Sequence, residues 1–211
     1  MILIGQYDSP FVRRVGIALR HCELAFEHRP WSVWADADKI AQYNPLRRVP
    51  VLIWDDGSVL VETFPILQAL DELVGPARAL SPAPGPSRHD ASRIAAFASG
   101  ICDKAVNLLY ASLDLMAPSE AWKKRCQTQI QETFARLESD KSKRSSPFFF
   151  GDTLLHADIA VACAYRFVQE AQPSLCDASQ FPALSALSAR AEALPAFREI
   201  YLPITNNLNK S

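Results

Sequence analysis

Apolar side chains are spaced in two ways along this chain. Up to about residue 75 they come in short runs bounded by turn-forming residues, and beyond residue 90 they recur at steps of three and four over longer stretches. Short bounded runs predict strands, and a three-four spacing predicts helices with one buried face. Ile2-Leu3-Ile4 predicts a buried strand, and Val12, Val15 and Ile17-Ala18-Leu19 predict a helix ending near His21. Alternation over residues 25–30 predicts a second strand, parallel to the first and closing a β-α-β unit. Residues 31–42 predict an irregular loop with a short helical piece, and Asn44-Pro45 marks a turn. Residues 51–54 predict a buried strand with Pro50 at its first position, where proline is tolerated. Asp55-Asp56-Gly57-Ser58 is a hairpin turn of the Asp-Gly kind, with residues 59–61 as the returning strand. A helix over residues 64–70, with Pro65 in its first turn, ends at Gly75-Pro76. The order β-α-β, loop, β-β-α predicts a four-stranded mixed sheet on the thioredoxin-like plan.

Ser81-Pro82-Ala83-Pro84-Gly85-Pro86-Ser87 excludes a helix interior or a central strand. It places a linker at residues 79–89, between a thioredoxin-like domain over residues 1–78 and an all-helical domain over residues 90–211. In the second domain Ile94, Ala98, Ile101, Ala105 and Leu108 form one stripe, and Trp122, Cys126, Ile130, Phe134 and Leu137 a second. Ile159, Cys163 and Phe167 mark a third helix. Leu184, Leu187, Ala191 and Leu194 mark a fourth, Pro195 opens a short last one, and a polar, frayed tail is expected from Thr205 to Ser211.

Composition narrows the function classes. The 211 residues carry a formal net charge of -1, with both signs interspersed, so no global field favours nucleic acid or an anionic membrane. No uninterrupted apolar run has the length of a membrane span, and the first residues lack the features of a signal peptide. The five cysteines are scattered without a C-x-x-C pair, and the four histidines have no ligand spacing. Neither a disulfide framework nor a metal site is expected, and a reduced, cytoplasmic location is.

Candidate chemistry begins at Tyr7-Asp8-Ser9-Pro10-Phe11-Val12-Arg13-Arg14-Val15. Pro10 suits the first turn of a helix, which makes Ser9 the N-cap. Its hydroxyl then lies beside unpaired backbone N–H groups and the positive end of the helix dipole, where an anion such as a thiolate is stabilised. The same residues also suit an ordinary capping serine.

This stretch resembles the cytosolic glutathione transferases, most closely the serine-type members, including bacterial relatives and the plant tau class. Asn44-Pro45-Leu46-Arg47-Arg48-Val49-Pro50-Val51-Leu52 is similar to the family's N-P-x-x-x-[VI]-P-x-L segment, and Glu62-Thr63 falls at its E-[ST] pair. Gly151-Asp152 through Ala157-Asp158-Ile159-Ala160 is similar to its C-terminal segment. Leu155 stands where the family usually has a capping Ser or Thr, so the reciprocal half of that capping box is absent.

The resemblance implies a glutathione transferase, with glutathione as co-substrate and no metal. Ser9 would donate a hydrogen bond to the glutathione sulfur and hold it as the thiolate for attack on a small electrophile, with Tyr7 as the rival donor. Val49–Pro50 would be a cis peptide presenting the Val49 backbone to the cysteinyl unit. Glu62 would meet the ammonium and Thr63 the carboxylate of the γ-glutamyl end, while Arg48 would hold the glycine carboxylate or the backbone, and equally suits a solvated surface arginine. Arg13 and Arg14 read as solvated or interdomain charges. Phe11, Trp34, Tyr110 and Tyr165 are aromatic candidates for the electrophile's pocket and equally for the core. A serine cannot form a mixed disulfide, which favours conjugation, isomerisation or addition over redox exchange. A homodimer is the further implication, with detoxification as the broad role. The alternatives are a glutathione-binding protein with little turnover and a glutathione-dependent isomerase, peroxidase or dehalogenase.

Overall fold

The computed structural model describes residues 1–204; the expected frayed tail from Thr205 lies outside the described residues. Four short strands, β1 (Ile2–Ile4), β2 (Glu27–Arg29), β3 (Val51–Ile53) and β4 (Val59–Val61), form one sheet in the order β2-β1-β3-β4. The pair β1–β2 is parallel and the pairs β1–β3 and β3–β4 are antiparallel. Strand alternation divides the sheet's two faces. Ile4, Val51 and Ile53 pack with Ile40 and the partly buried Trp31, Val33, Tyr43 and Val49, supplied by the loop around α2 (Ala37–Ala41). Leu3 and Leu52 point to the opposite face and are fully buried. On that side α1 (Pro10–His21) and α3 (Thr63–Val74) pack against each other. Gly75 ends α3 at φ +75°, a conformation that suits glycine.

The helical region comprises α4 (Pro86–Ser112), α5 (Glu120–Ser142), α6 (His156–Ala171) and α7 (Pro182–Glu192), followed by α8 (Pro195–Glu199). The expected α4 stripe is buried where that helix packs on α5 and α6. By length and average composition α4 is also long and apolar enough to cross a membrane, a property that scanning for uninterrupted apolar runs misses. Trp122 departs from the second stripe. It is 40% exposed on α5, with the Lys104 ammonium 5.5 Å from its ring centroid. The five cysteines are buried and none is in a disulfide.

The described chain divides into two compact units, Ser81–Leu194 and Met1–Leu80 joined by residues 195–204. The division expected from the linker, 1–78 against 90–211, differs at both ends. Helix α4 starts at Pro86, inside the expected linker, because proline is well placed at a first helical position. The last helix joins the first unit because α1 holds it. Arg13 donates from Nε to the Ile200 carbonyl at 2.9 Å and from Nη2 to the Phe197 carbonyl at 3.2 Å, with its guanidinium over the Phe197 and Tyr201 rings. Arg20 pairs with Glu199 at 2.6 Å. A side chain at Gly16 would lie 2.7 Å from Ile200, so glycine permits the approach. Arg13 and Arg14 are therefore not solvated: they are 4% and 3% exposed, and Arg13 satisfies carbonyls at the end of α8.

Two helices of the second unit begin at residues that cannot cap. Leu155 has no side-chain oxygen to offer the free N–H groups of α6, and Asp158 in the first turn supplies only the other half of the capping box. One carboxylate oxygen accepts the Leu155 N–H at 2.9 Å and the other the Phe149 N–H at 2.7 Å. Phe181 precedes α7, whose first free N–H groups, on Ala183 and Leu184, donate to the Glu138 carboxylate at 2.9 Å each. Asp158 is fully buried, and burial pushes its carboxyl up to about 6 against the pull of its two N–H donors and of Lys141. A carboxyl that binds its proton more tightly folded than unfolded contributes stability below about pH 4, lost as pH rises through about 6. The unfolding free energy of the wild type, measured against Asp158→Asn by urea titration, is therefore expected to lose up to about 3 kcal/mol relative to the variant between pH 4 and pH 7. A flat difference across that window would show the carboxylate ionised throughout.

Candidate active site

The register of the sheet brings the candidate residues to one end. Ile4 faces Val51 and Val51 faces Val61. One residue further along each strand, Gly5, Pro50 and Glu62 therefore lie in a row. The chain then turns from Gly5 into α1 and from Glu62 into α3, so the N-termini of both helices follow directly from this row.

Ser9 is the N-cap of α1, with φ −68° and ψ 120°, and Pro10 follows at the first helical position. Its Oγ accepts the Val12 N–H at 3.4 Å, and its own N–H donates to the Gln6 carbonyl at 3.2 Å. A hydroxyl that accepts one N–H retains its O–H to donate elsewhere. Asp8 precedes it, and burial raises that carboxyl above its ordinary value. Tyr7 is placed differently. Its ring stacks on His28 with centroids 3.8 Å apart and planes 6° from parallel. It also lies against Gly16, where an added Cβ would be 3.1 Å from Tyr7 Cε1. Gly16 is about 10 Å along the helix axis from Ser9, so the Tyr7 ring runs down the flank of α1. Burial pushes its hydroxyl up to about 12.

The second edge is the loop from Asn44 to Pro50. The Val49–Pro50 bond is cis. Asn44 is 2% exposed and braces the loop from within: its Nδ2 donates to the Arg48 carbonyl at 2.9 Å, and its Oδ1 accepts the Leu46 N–H at 3.1 Å. From sequence the Asn44-Pro45 pair reads only as a turn; the carboxamide's role depends on a carbonyl four residues away. Arg48 lies 3.7 Å from Glu62, and both are about half exposed. At that separation and exposure the pair contributes little stability.

The third edge is the start of α3. Glu62 has φ +67° and ψ 141°, a conformation that costs a side-chain-bearing residue of order 1–3 kcal/mol. Thr63 follows and is 6% exposed, with its Oγ1 buried and without a hydrogen-bond partner. A buried hydroxyl left unpaired is uncommon in a folded protein. Ser9, Val49, Pro50, Arg48, Glu62 and Thr63 thus all belong to this end of the sheet. Of the aromatic candidates, Tyr165 is 1% exposed and packs edge-on against Phe134, so it is core. Trp34 is 42% exposed, and Phe11 and Tyr110 are half-buried.

A mixed four-stranded sheet with these helix starts at one end, together with a separate helical unit, defines a thioredoxin-like protein of the two-domain kind. The glutathione S-transferase N-terminal domain model matches residues 8–73, and the glutathione S-transferase C-terminal domain model matches residues 120–199. The GST-like protein YibF of Escherichia coli is 30% identical over 177 residues, covering 80% of this chain and 82% of YibF. A probable maleylacetoacetate isomerase of Vibrio cholerae is 28% identical over 208 residues, 94% of each chain. The crystal structure of a glutathione S-transferase from Methylobacterium radiotolerans, in complex with glutathione sulfonate, superposes with a TM-score of 0.86 at 28% identity over 97% of each chain. The chain belongs to the glutathione S-transferase family.

The bracing role of Asn44 leads to a stability prediction. Asn44→Ala removes a donor and an acceptor from a buried loop and is expected to cost about 2–3 kcal/mol in urea titration. Asn44→Asp keeps an acceptor for Leu46 but faces the Arg48 carbonyl with no donor, and is expected to destabilise as well. Stability unchanged in both would show that the loop is held elsewhere.

Proposed function

We propose that the protein is a glutathione transferase in which Ser9 holds the glutathione sulfur as a thiolate for attack on a small electrophile. The observation that carries this reading is the convergence of the α1 N-cap, the Val49–Pro50 segment and the Glu62–Thr63 start of α3 at one end of the sheet. The fit to glutathione is supported by the unpartnered Thr63 hydroxyl, which sits where the start of α3 would receive a carboxylate. It is supported as well by the strained Glu62, since local strain tends to persist where a site needs it. In this reading the γ-glutamyl carboxylate accepts from Thr63 and from backbone N–H groups, and Glu62 meets the ammonium. The cysteinyl unit docks along the Val49 backbone, and Arg48, shared with Glu62, reaches the glycine carboxylate.

The chemistry follows from charge. A free thiol has a pKa near 8.5 and is mostly protonated at neutral pH. The Val12 N–H orients the Ser9 oxygen, the Ser9 O–H donates to the sulfur, and the N-terminus of α1 adds its partial positive charge. A hydrogen bond to an ionised sulfur, worth roughly 1.5–3 kcal/mol, lowers the thiol pKa by about one to two units. Tyr7 is the weaker candidate because its ring lies along the flank of α1. Family membership supports a cytoplasmic homodimer with a role in detoxification. A second reading, glutathione-dependent isomerisation, is favoured by the similarity to the Vibrio cholerae relative, and it would use the same thiolate.

Ser9→Ala is expected to raise the pKa of the bound glutathione thiol by about one to two units, read from thiolate ultraviolet absorbance against pH. Turnover of an electrophile panel should fall in step, while calorimetric affinity for glutathione changes little. An unmoved thiol pKa would remove Ser9 from the chemistry. Thr63→Val separates binding from folding: it deletes a hydroxyl with no partner, so stability without ligand should hold or rise. Glutathione affinity should fall about tenfold, the equivalent of one hydrogen bond. Unchanged affinity would take Thr63 out of the site.

A further inference from the structure

Ser9 and Val49 belong to different parts of the chain, and the glutathione reading needs them a fixed distance apart. Gly5 lies between their supports. At φ +125° it occupies a backbone conformation that side-chain-bearing residues rarely adopt. A Cβ there would stand 2.5 Å from Val12 Cγ2 and 2.8 Å from Val49 Cβ, inside the contact distance of both. Val12 is the residue whose N–H meets the Ser9 oxygen, and Val49 precedes the cis proline. The missing side chain at Gly5 therefore lets the two halves of the site close on each other.

Gly5 is in turn held by β2. Its N–H donates to the Arg29 carbonyl at 2.9 Å. Its carbonyl oxygen lies 2.8 Å from His28 Nε2; a carbonyl only accepts, so Nε2 carries the proton in this contact. The face of the same imidazole stacks on Tyr7. One half-buried side chain thus grips both ends of the Gly5–Tyr7 segment, which leads directly into the Ser9 cap.

We propose that His28, acting through Gly5, is a positioning residue that sets the separation between the Ser9 hydroxyl and the Val49 backbone, and with it the ionisation of the bound thiol. The proposal rests on the glutathione reading. If the imidazole is lost, the Gly5 turn relaxes and the Ser9–sulfur bond lengthens. The tripeptide's two ends, held at Thr63 and Arg48, keep their contacts.

The test compares His28→Phe, which keeps an aromatic face for Tyr7 but has no donor, with His28→Gln, which keeps a donor for the Gly5 carbonyl. His28→Gln also loses the ring that stacks on Tyr7, so recovery in His28→Gln reads the hydrogen bond and not the stacking. His28→Phe is expected to raise the pKa of bound glutathione by about half a unit or more, a roughly threefold loss of thiolate below the plateau. Its glutathione affinity should stay within about twofold of wild type, and His28→Gln should recover most of the shift. Gly5→Ala is the harsher probe, expected to abolish the low thiol pKa where it folds; His28→Phe gives the readout where it does not. A wild-type thiol pKa in His28→Phe, with Ser9→Ala still shifting it, overturns the positioning role and leaves the glutathione reading standing. A wild-type protein that binds no glutathione overturns both.

Discussion

The closeness of three strand ends to the first turn of α1 is what the candidate site depends on, and it is limited by steric bulk at Gly5. Glycine is the residue that can occupy φ +125° without strain while Val12 and Val49 press against the space a Cβ would fill. The serine cap, the cis-proline segment and the start of α3 each have local causes. Their convergence has a shared one, the register that sets Gly5, Pro50 and Glu62 in a row.

Burial of polar groups shapes the rest of the molecule, and each instance shows a different balance. Arg13 is buried with its guanidinium satisfied by two carbonyls at the end of α8 and covered by two aromatic rings, so its desolvation is offset by charge-assisted bonds. Asp158 is buried with two N–H donors, yet burial still outweighs them and lifts its pKa. Thr63 is buried with no partner, and a hydroxyl in that state costs stability in the absence of a ligand. The first stabilises the fold, and the second does so only while its carboxyl keeps its proton. The third is a cost located at the candidate site, where a bound carboxylate would offset it.

Element type was largely legible in advance. Bounded apolar runs and prolines at strand and helix starts are local signals, and strands, helices and their order followed from them. The capping serine was legible for the same reason, since Ser9-Pro10 is a local signature of a helix start. Other features were not legible. Arg13 and Arg14 read as solvated or interdomain charges, with nothing local to choose between the two, and the carbonyls that Arg13 satisfies lie about 185 residues away. Trp122 sits on an apolar period but faces out. The cap of α7 comes from Glu138 on another helix.

The order of residues along this chain was enough to establish a thioredoxin-like unit followed by helices, and it was the resemblance to the glutathione transferases that nominated Ser9, Val49–Pro50 and Glu62–Thr63 for one task. Spacing, turn chemistry and capping act over a few residues, and so can be read without a fold. The assignment of α8 to the first unit, the brace from Asn44, the grip of His28 on Gly5 and the isolation of the Thr63 hydroxyl emerged only once the chain was folded. Each depends on groups brought together across the sheet or from distant segments, and hydrogen bonding and steric exclusion act through space, at separations that spacing along the backbone does not encode.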